Sequence, residues 1–166
     1  MPQKYSTDVY KRQMTEKYFD MVYRLAFSRT KDSAHADDVC QDVFYKFLKT
    51  DKKFETEEHL KAWLIRVTVN QSKSLFTNSW FKKTVPLSEK EDELIFTTPE
   101  KNDLYHVIKK LPQKYATVIH LFYYEDLPIA KIAQILDTKE ATVKSHLHRA
   151  RNMLKELLGG RYDYEF

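Results

Sequence analysis

The sequence holds only two glycines in 166 residues, Gly159 and Gly160, side by side near its end. Walker loops, dinucleotide fingerprints and nucleophile elbows all need glycine where the backbone turns tightly or approaches a ligand, so each is excluded. Hairpin-rich β architectures fail for the same reason. A single cysteine, Cys40, rules out an intramolecular disulfide framework and any cysteine-based zinc cluster. No apolar run approaches the ~20 residues of a membrane span, and the opening MPQKYSTDVY has no signal-peptide core. A cytoplasmic location without membrane insertion is therefore expected.

What is present is globular and helical. Hydrophobic residues make up 42% and charged residues 31%, a balance that supports a packed core. The length suits one ordinary domain or two small ones, and the expected class is all-α. A net charge of +4 permits nucleic-acid binding without demanding it.

Apolar spacing predicts the elements. Tyr18, Met21, Val22 and Leu25 recur at helical period within a helix from about Asp8 to Arg29. A second helix, about Ser33 to Lys49, carries Ala36, Val39, Cys40, Val43, Phe44 and Phe47 on one face, with Asp38, Gln41, Asp42, Tyr45 and Lys49 opposite and Ser33 as its expected N-cap. A loop then leads to Thr56, expected to cap a third helix running to Thr77. That helix is apolar on two sides, with Trp63 in the core stripe and a narrow polar strip of Arg66, Asn70, Lys73 and Thr77 between them. Such a helix belongs in the middle of a bundle.

From Asn78 to about Glu100 the pattern breaks at Pro86, Pro99 and the acids Glu89, Glu91, Asp92 and Glu93, which reads as a linker between two domains. A short helix from Asp103 to Lys110 and another from Gln113 are expected beyond it. Then come Ile129 to Leu136, a turn at Asp137-Thr138-Lys139, and a long helix ending at the glycine pair. This is the length and pattern of a helix-turn-helix, with Ala133 small at the crossing and Ile132, Leu136, Val143 and Leu147 filling the angle. The outer face of the long helix bears Lys139, Glu140, Ala141, Thr142, Lys144, Ser145, His148 and Arg149. It suits the major groove better than the alternative, the wet side of an amphipathic helix pair, which is itself a common arrangement.

Three segments in order, AHADDVCQDVFYKFLK, LKAWLIRVTVNQSKSLF and LPQKYATVIHLFYYEDLPIAKIAQILDTKEATVKSHLHRARNMLKELL, resemble the extracytoplasmic-function, or group IV, sigma factors of bacterial RNA polymerase. The resemblance covers nearly all of Asp8 to Leu158. It implies a first domain over residues 1–80 that binds core polymerase and the −10 element, a flexible linker over 81–100, and a helix-turn-helix domain over 101–166 that reads the −35 element. Asp38, Gln41, Asp42 and Tyr45 would then face the clamp coiled coil, and the second domain the flap. Arg66, Asn70, Lys73 and Ser74 would touch −10 DNA, and the loop around Phe54 would receive a flipped base. The eight residues of the long helix would contact the −35 element. An anti-sigma protein is the further partner implied, and no cofactor.

Some positions depart from the family pattern. Asp137 stands where a glycine is usual, Lys139 where a capping serine is usual, so that Thr138 is the alternative cap, and Pro128 replaces another cap. The run NSWFKK is thin in charge, so promoter melting is expected to lean on the polymerase. A stand-alone helix-turn-helix regulator accounts for the C-terminal half but leaves the acidic second helix and the striped third without a task. An enzyme lacks parts: His146 and His148, two apart on one helix, point about 160° from each other and cannot share a metal ion.

Overall fold

The computed structural model describes residues 7–77 and 106–159, excepting the side chains of 74–77, and every regular element among them is helical. The helices are α1 (Thr7–Thr30), α2 (Ser33–Lys49), α3 (Glu57–Thr77), α4 (Gln113–Ile119), α5 (Ile129–Leu136) and α6 (Glu140–Leu158). α4 runs directly into a π-helical segment, His120–Tyr124. Of the helix expected from Asp103 to Lys110, residues 106–108 form a turn of helix and 101–105 lie outside the described residues. The expected linker, with Glu89, Glu91, Asp92 and Glu93, also lies outside them.

The first three helices form a bundle because their stripes match. α2 buries Ala36, Val39, Cys40, Val43, Phe44 and Phe47, the six residues of its apolar face. α3 buries Leu60, Leu64, Ile65 and Val69, and its buried hydroxyls are satisfied internally: Thr68 donates to the Leu64 carbonyl at 2.6 Å and Ser72 to that of Thr68 at 2.7 Å. Fully enclosed Leu25, Phe27, Phe47, Leu60 and Leu64 each contribute about 1.5–3 kcal/mol of burial. Cys40 is sealed among them, and burial pushes its thiol up to about 12.

Capping follows the sequence at α3 and departs from it twice. The Thr56 hydroxyl accepts from the His59 N–H at 3.0 Å, as expected. At α2 the N-cap is Asp32, not Ser33: left-handed Lys31 (φ 62) turns the chain so that Asp32 is the last extended residue, and its carboxylate accepts from the His35 N–H at 3.0 Å. At α6 the N-cap is Lys139 without a side-chain bond, and Thr138 does not cap. The Thr138 N–H is committed elsewhere, closing α5 on the Ala133 carbonyl at 2.9 Å.

α5 and α6 form the expected helix-turn-helix, with Ile132, Ala133, Val143 and Leu147 buried where they cross. The corner is Asp137 at φ 53, ψ 54, a left-handed residue carrying a Cβ. α4 packs on α6, and α1 and α3 reach α4 and α5, so the two helical groups share one core. The Arg29 guanidinium at the end of α1 donates to the Thr117 hydroxyl of α4 at 2.5 Å, and Lys31 donates to the Leu111 carbonyl.

His120 opens the π-helical segment fully buried and stacked on Tyr124, with ring centroids 5.2 Å apart. Burial first, then the charges of Arg24 and Lys61, holds its pKa down to about 3, so the ring is neutral when folded.

Two expectations follow. Replacing Asp137 with glycine removes the left-handed strain and is expected to stabilise the fold by up to ~1 kcal/mol, about 2–4 °C in Tm, while Asp137→Asn leaves Tm unchanged. A thermal melt of the two variants decides it, and equal Tm for glycine and aspartate would show an unstrained corner. The unfolded chain takes up a proton at His120 near pH 6.5 whereas the folded chain resists until about 3, so stability falls as pH drops below 6.5. The slope from this group approaches about 1.4 kcal/mol per pH unit at most. Denaturant titrations of His120→Leu between pH 7 and 5 should show a shallower pH dependence than the parent.

Candidate nucleic-acid and polymerase interface

α6 divides into an inner and an outer side. Val143, Leu147, Ala150, Leu154 and Leu158 are buried, while Lys139, Glu140, Ala141, Lys144, Ser145, His148 and Arg149 are exposed and Thr142 is half-buried. All eight residues expected at a DNA surface are therefore at least partly accessible, spread around the outer side of the helix. Its far edge is braced from behind: Arg149 stands close enough to the Tyr115 phenol to hold it below its usual pKa. Arg151 sits 5.6 Å and 5.8 Å over the Phe122 and Tyr123 rings and donates to the Tyr123 hydroxyl at 2.9 Å. His146 turns inward to meet the Tyr115 ring edge-on at 5.5 Å, away from exposed His148.

On α3, Arg66, Asn70 and Lys73 are exposed along one strip, as its spacing of four and three requires. The side chain of Ser74 lies outside the described residues. The strip does not open onto bulk water alone. Arg66 Nε donates to the Ile135 carbonyl at 3.3 Å, and Arg66, Asn70 and Lys73 line a 540 Å³ cavity whose other wall is the C-terminal end of α5.

Phe54 lies apart from that cavity, half-buried in the loop before α3. It meets Trp63 edge-on at 5.5 Å and His59 at 5.4 Å, with Lys52 6.0 Å above its ring. A cleft of 650 Å³ opens beside it, lined by Tyr10, Lys11, Phe47, Lys52, Lys53 and Phe54. This volume is ample for one nucleobase, with aromatic rings to stack on and three lysines to meet a phosphate. Lys11, Lys52 and Lys53 are functional candidates that sequence reading passed over. The signal was the KK pair beside Phe54. Lys11, by contrast, arrives through the fold, tied to the Leu48 and Thr50 carbonyls at 3.0 and 2.8 Å.

The outer face of α2 presents Asp38, Gln41, Asp42 and Tyr45, all exposed. Their side chains are locally ordered: Gln41 donates to Asp37 at 3.2 Å, Gln71 donates to Asp42 at 3.2 Å, and Lys46 donates to Gln71 at 2.7 Å. Tyr45 is 63% exposed and Leu48, three residues on, 52% exposed. Large apolar groups left this open beside carboxylates suit a protein partner, and Leu48 extends the expected set. Phe19 of α1 is also exposed and stacks on Phe44 at 5.9 Å. Among the described residues no helix is long and apolar enough to cross a membrane.

Three kinds of surface thus sit on one helical frame: a basic, hydroxyl-rich helix face, a cation strip with a separate aromatic cleft, and an acidic face with open apolar residues. Comparison with known proteins accounts for the combination. Residues 14–81 match the family model for sigma-70 region 2, and residues 101–154 that for sigma-70 region 4. The RNA polymerase sigma factor SigV of Bacillus subtilis is 30% identical over 140 residues, spanning 80% of this chain and 81% of the relative. The extracytoplasmic-function sigma factor SigW of the same organism is 24% identical over 158 residues, spanning 85% and 84%. In fold, the chain is similar to the sigma factor RpoE solved in complex with the anti-sigma factor NepR from Bartonella quintana, with a TM-score of 0.74 and 23% identity over 91% of this chain and 98% of that one. The chain belongs to the extracytoplasmic-function group of sigma-70 RNA polymerase sigma factors.

Proposed function

We propose that this sigma factor divides its work among the three surfaces. The outer face of α2, through Asp38, Gln41, Asp42 and Tyr45, binds the clamp coiled coil of core polymerase, and the C-terminal helices bind the flap. The face of α6 from Lys139 to Arg149 reads the −35 element. Arg66, Asn70, Lys73 and Ser74 hold the −10 strand, and the Phe54 cleft takes a base extruded from it. Residues 1–80 and 101–166 act as domains joined by 81–100. The protein itself catalyses nothing: it positions polymerase at promoters in the cytoplasm, under an anti-sigma protein such as the partner in the similar solved complex.

The 650 Å³ cleft at Phe54 carries this reading furthest, because it joins stacking surface to cations at one place. A base leaving the helix forfeits a few kcal/mol of stacking, and an aromatic wall offsets about 1–3 kcal/mol of it. Binding a single strand then needs cations only at its backbone, and the nearby lysines supply them. On α6, Lys144 and Arg149 suit phosphate or guanine while Thr142 and Ser145 suit either base or backbone.

Run-off transcription with bacterial core polymerase on fragmented genomic DNA, mapping new 5′ ends, tests the whole. Start sites sharing two upstream elements are expected. If no starts appear while the protein alone retards specific DNA, it works as a separate regulator. Variants then apportion roles. Replacing Arg66 and Lys73 with alanine should reduce the salt slope of −10 strand binding by about 1.4, at roughly 0.7 per phosphate contact. Lys144→Ala should lower the duplex slope by about 0.9 without affecting the choice of −10 sequence. Tyr45→Ala should weaken association with core alone, as read in a pull-down without DNA.

A further inference from the structure

His120 is a titratable side chain that none of the candidate surfaces uses. It has no exposure to solvent, and neither ring nitrogen has a hydrogen-bond partner among the described residues. The π-helical segment that it opens sets one carboxylate beside it. In an α-helix, residues five apart point about 140° from each other, but the wider π turn, closed by the Glu125 N–H on the His120 carbonyl at 3.2 Å, brings Glu125 Oε2 to 3.9 Å from Nε2. That carboxylate is already engaged: its other oxygen holds Lys61 of α3 at 3.3 Å across the seam between the two helical groups.

The other charges that act on the ring come from the far side of this seam, Arg24 of α1 and Lys61, and both are positive. Tyr18 of α1 and Asp126 act on Glu125, and Tyr124 stacks on the ring. α4 and α5, which pack on the segment, carry the cations Lys114, over the Tyr115 ring, and Lys131, at a cavity with Trp63 and Arg66. A proton on His120 would therefore create a cation with two N–H donors in a sealed seam, facing two further cations, with its one carboxylate taken. Moving the C-terminal helices off α1 and α3 relieves this by returning the ring to water. The seam is already weakened at Arg29, 3% exposed, whose Nη1 bonds Thr117 while Nε and Nη2 have no hydrogen-bond partner among the described residues.

We propose that His120 makes the seam between the two helical groups acid-sensitive: uptake of one proton on its ring parts the C-terminal helices from α1 and α3 while each group stays folded. The sign follows from linkage. Parted, the ring recovers its ordinary value of 6.5, whereas enclosed it resists until about 3. The ratio of parted to closed molecules therefore rises as pH falls below 6.5, by about ten-fold between pH 7.5 and 5.5. Glu125 works in the opposite sense: burial raises its pKa, so proton uptake there favours the enclosed form, but it starts from the carboxylate range, and the onset near 6.5 belongs to His120. The disposition of the α6 face relative to α3 is then set by pH as well as by whatever binds them.

The test counts parted molecules directly. Dyes on Gln13→Cys and Lys155→Cys, exposed positions of α1 and α6, report closed and parted chains as two populations in single-molecule energy transfer; Cys40, fully enclosed, stays unlabelled. From pH 7.5 to 5.5 the ratio of parted to closed molecules should rise about ten-fold, with the helical circular dichroism unchanged, and its logarithm should approach a slope of one proton per parting event below pH 6.5. In His120→Leu and His120→Gln, each judged only if its circular dichroism matches the parent, the ratio should stay within two-fold over the same range. A parent whose ratio does not move, a parent that loses helix in step with parting, or a rise in both variants equal to the parent's would each overturn the proposal. If neither variant folds, the slope in the parent decides, and one below half a proton overturns it.

Discussion

The last turns of α1 are enclosed on every side: Leu25, Ala26, Phe27, Ser28, Arg29 and Thr30 are all buried. A helix packed all round cannot be a surface helix, and here α2 and α3 cover one side and α4 the other. Leu25 and Phe27 anchor the three-helix bundle, while Ser28 turns its hydroxyl back to the Leu25 carbonyl at 2.7 Å so that its own oxygen is not stranded. Remove this segment and the α2 and α3 stripes lose their common floor, and the C-terminal helices lose their seat. This stretch, together with the packing of α3 on α5, fixes how the candidate surfaces sit relative to one another.

Charge is distributed to match that arrangement. Cations collect on the candidate nucleic-acid surfaces, at Arg66 and Lys73, at Lys52 and Lys53, and at Lys144 and Arg149; carboxylates collect on α2. The same polarity also meets the end of α5, where Arg66 donates to the Ile135 carbonyl at 3.3 Å. Glu57, bonded to Lys17 at 2.5 Å and to the Tyr18 hydroxyl at 2.8 Å and so held below the usual carboxylate range, shows the ordinary use of such charge: it ties α1 to α3.

Much of this was legible in the sequence because it depends on period. The six buried residues of α2, the two-sided α3 with its exposed strip, the Thr56 cap and the crossing of α5 on α6 all follow from spacing along one element. The misses share a different cause. Asp32 displaces Ser33 as cap because of the left-handed Lys31, and Thr138 fails to cap because α6 starts one residue later than a Thr138 cap requires, with Lys139 at the cap position. Neither is visible in a helical wheel. Lys11 reaches the Phe54 cleft across 39 residues of chain, and Arg29 reaches Thr117 across 88. Period says which face is apolar, but not which apolar faces find one another. The contact of Arg66 with the Ile135 carbonyl belongs to that second class of information.

Cys40 carries a consequence for signalling. Its sulfur is the only thiol in the chain, it has no exposure to solvent, and it stays protonated at any physiological pH. Peroxide and electrophiles react with thiolates, so such a sulfur is chemically silent. A cell that uses this protein to answer oxidative damage has to place its thiol sensor upstream, in whatever restrains or releases the chain.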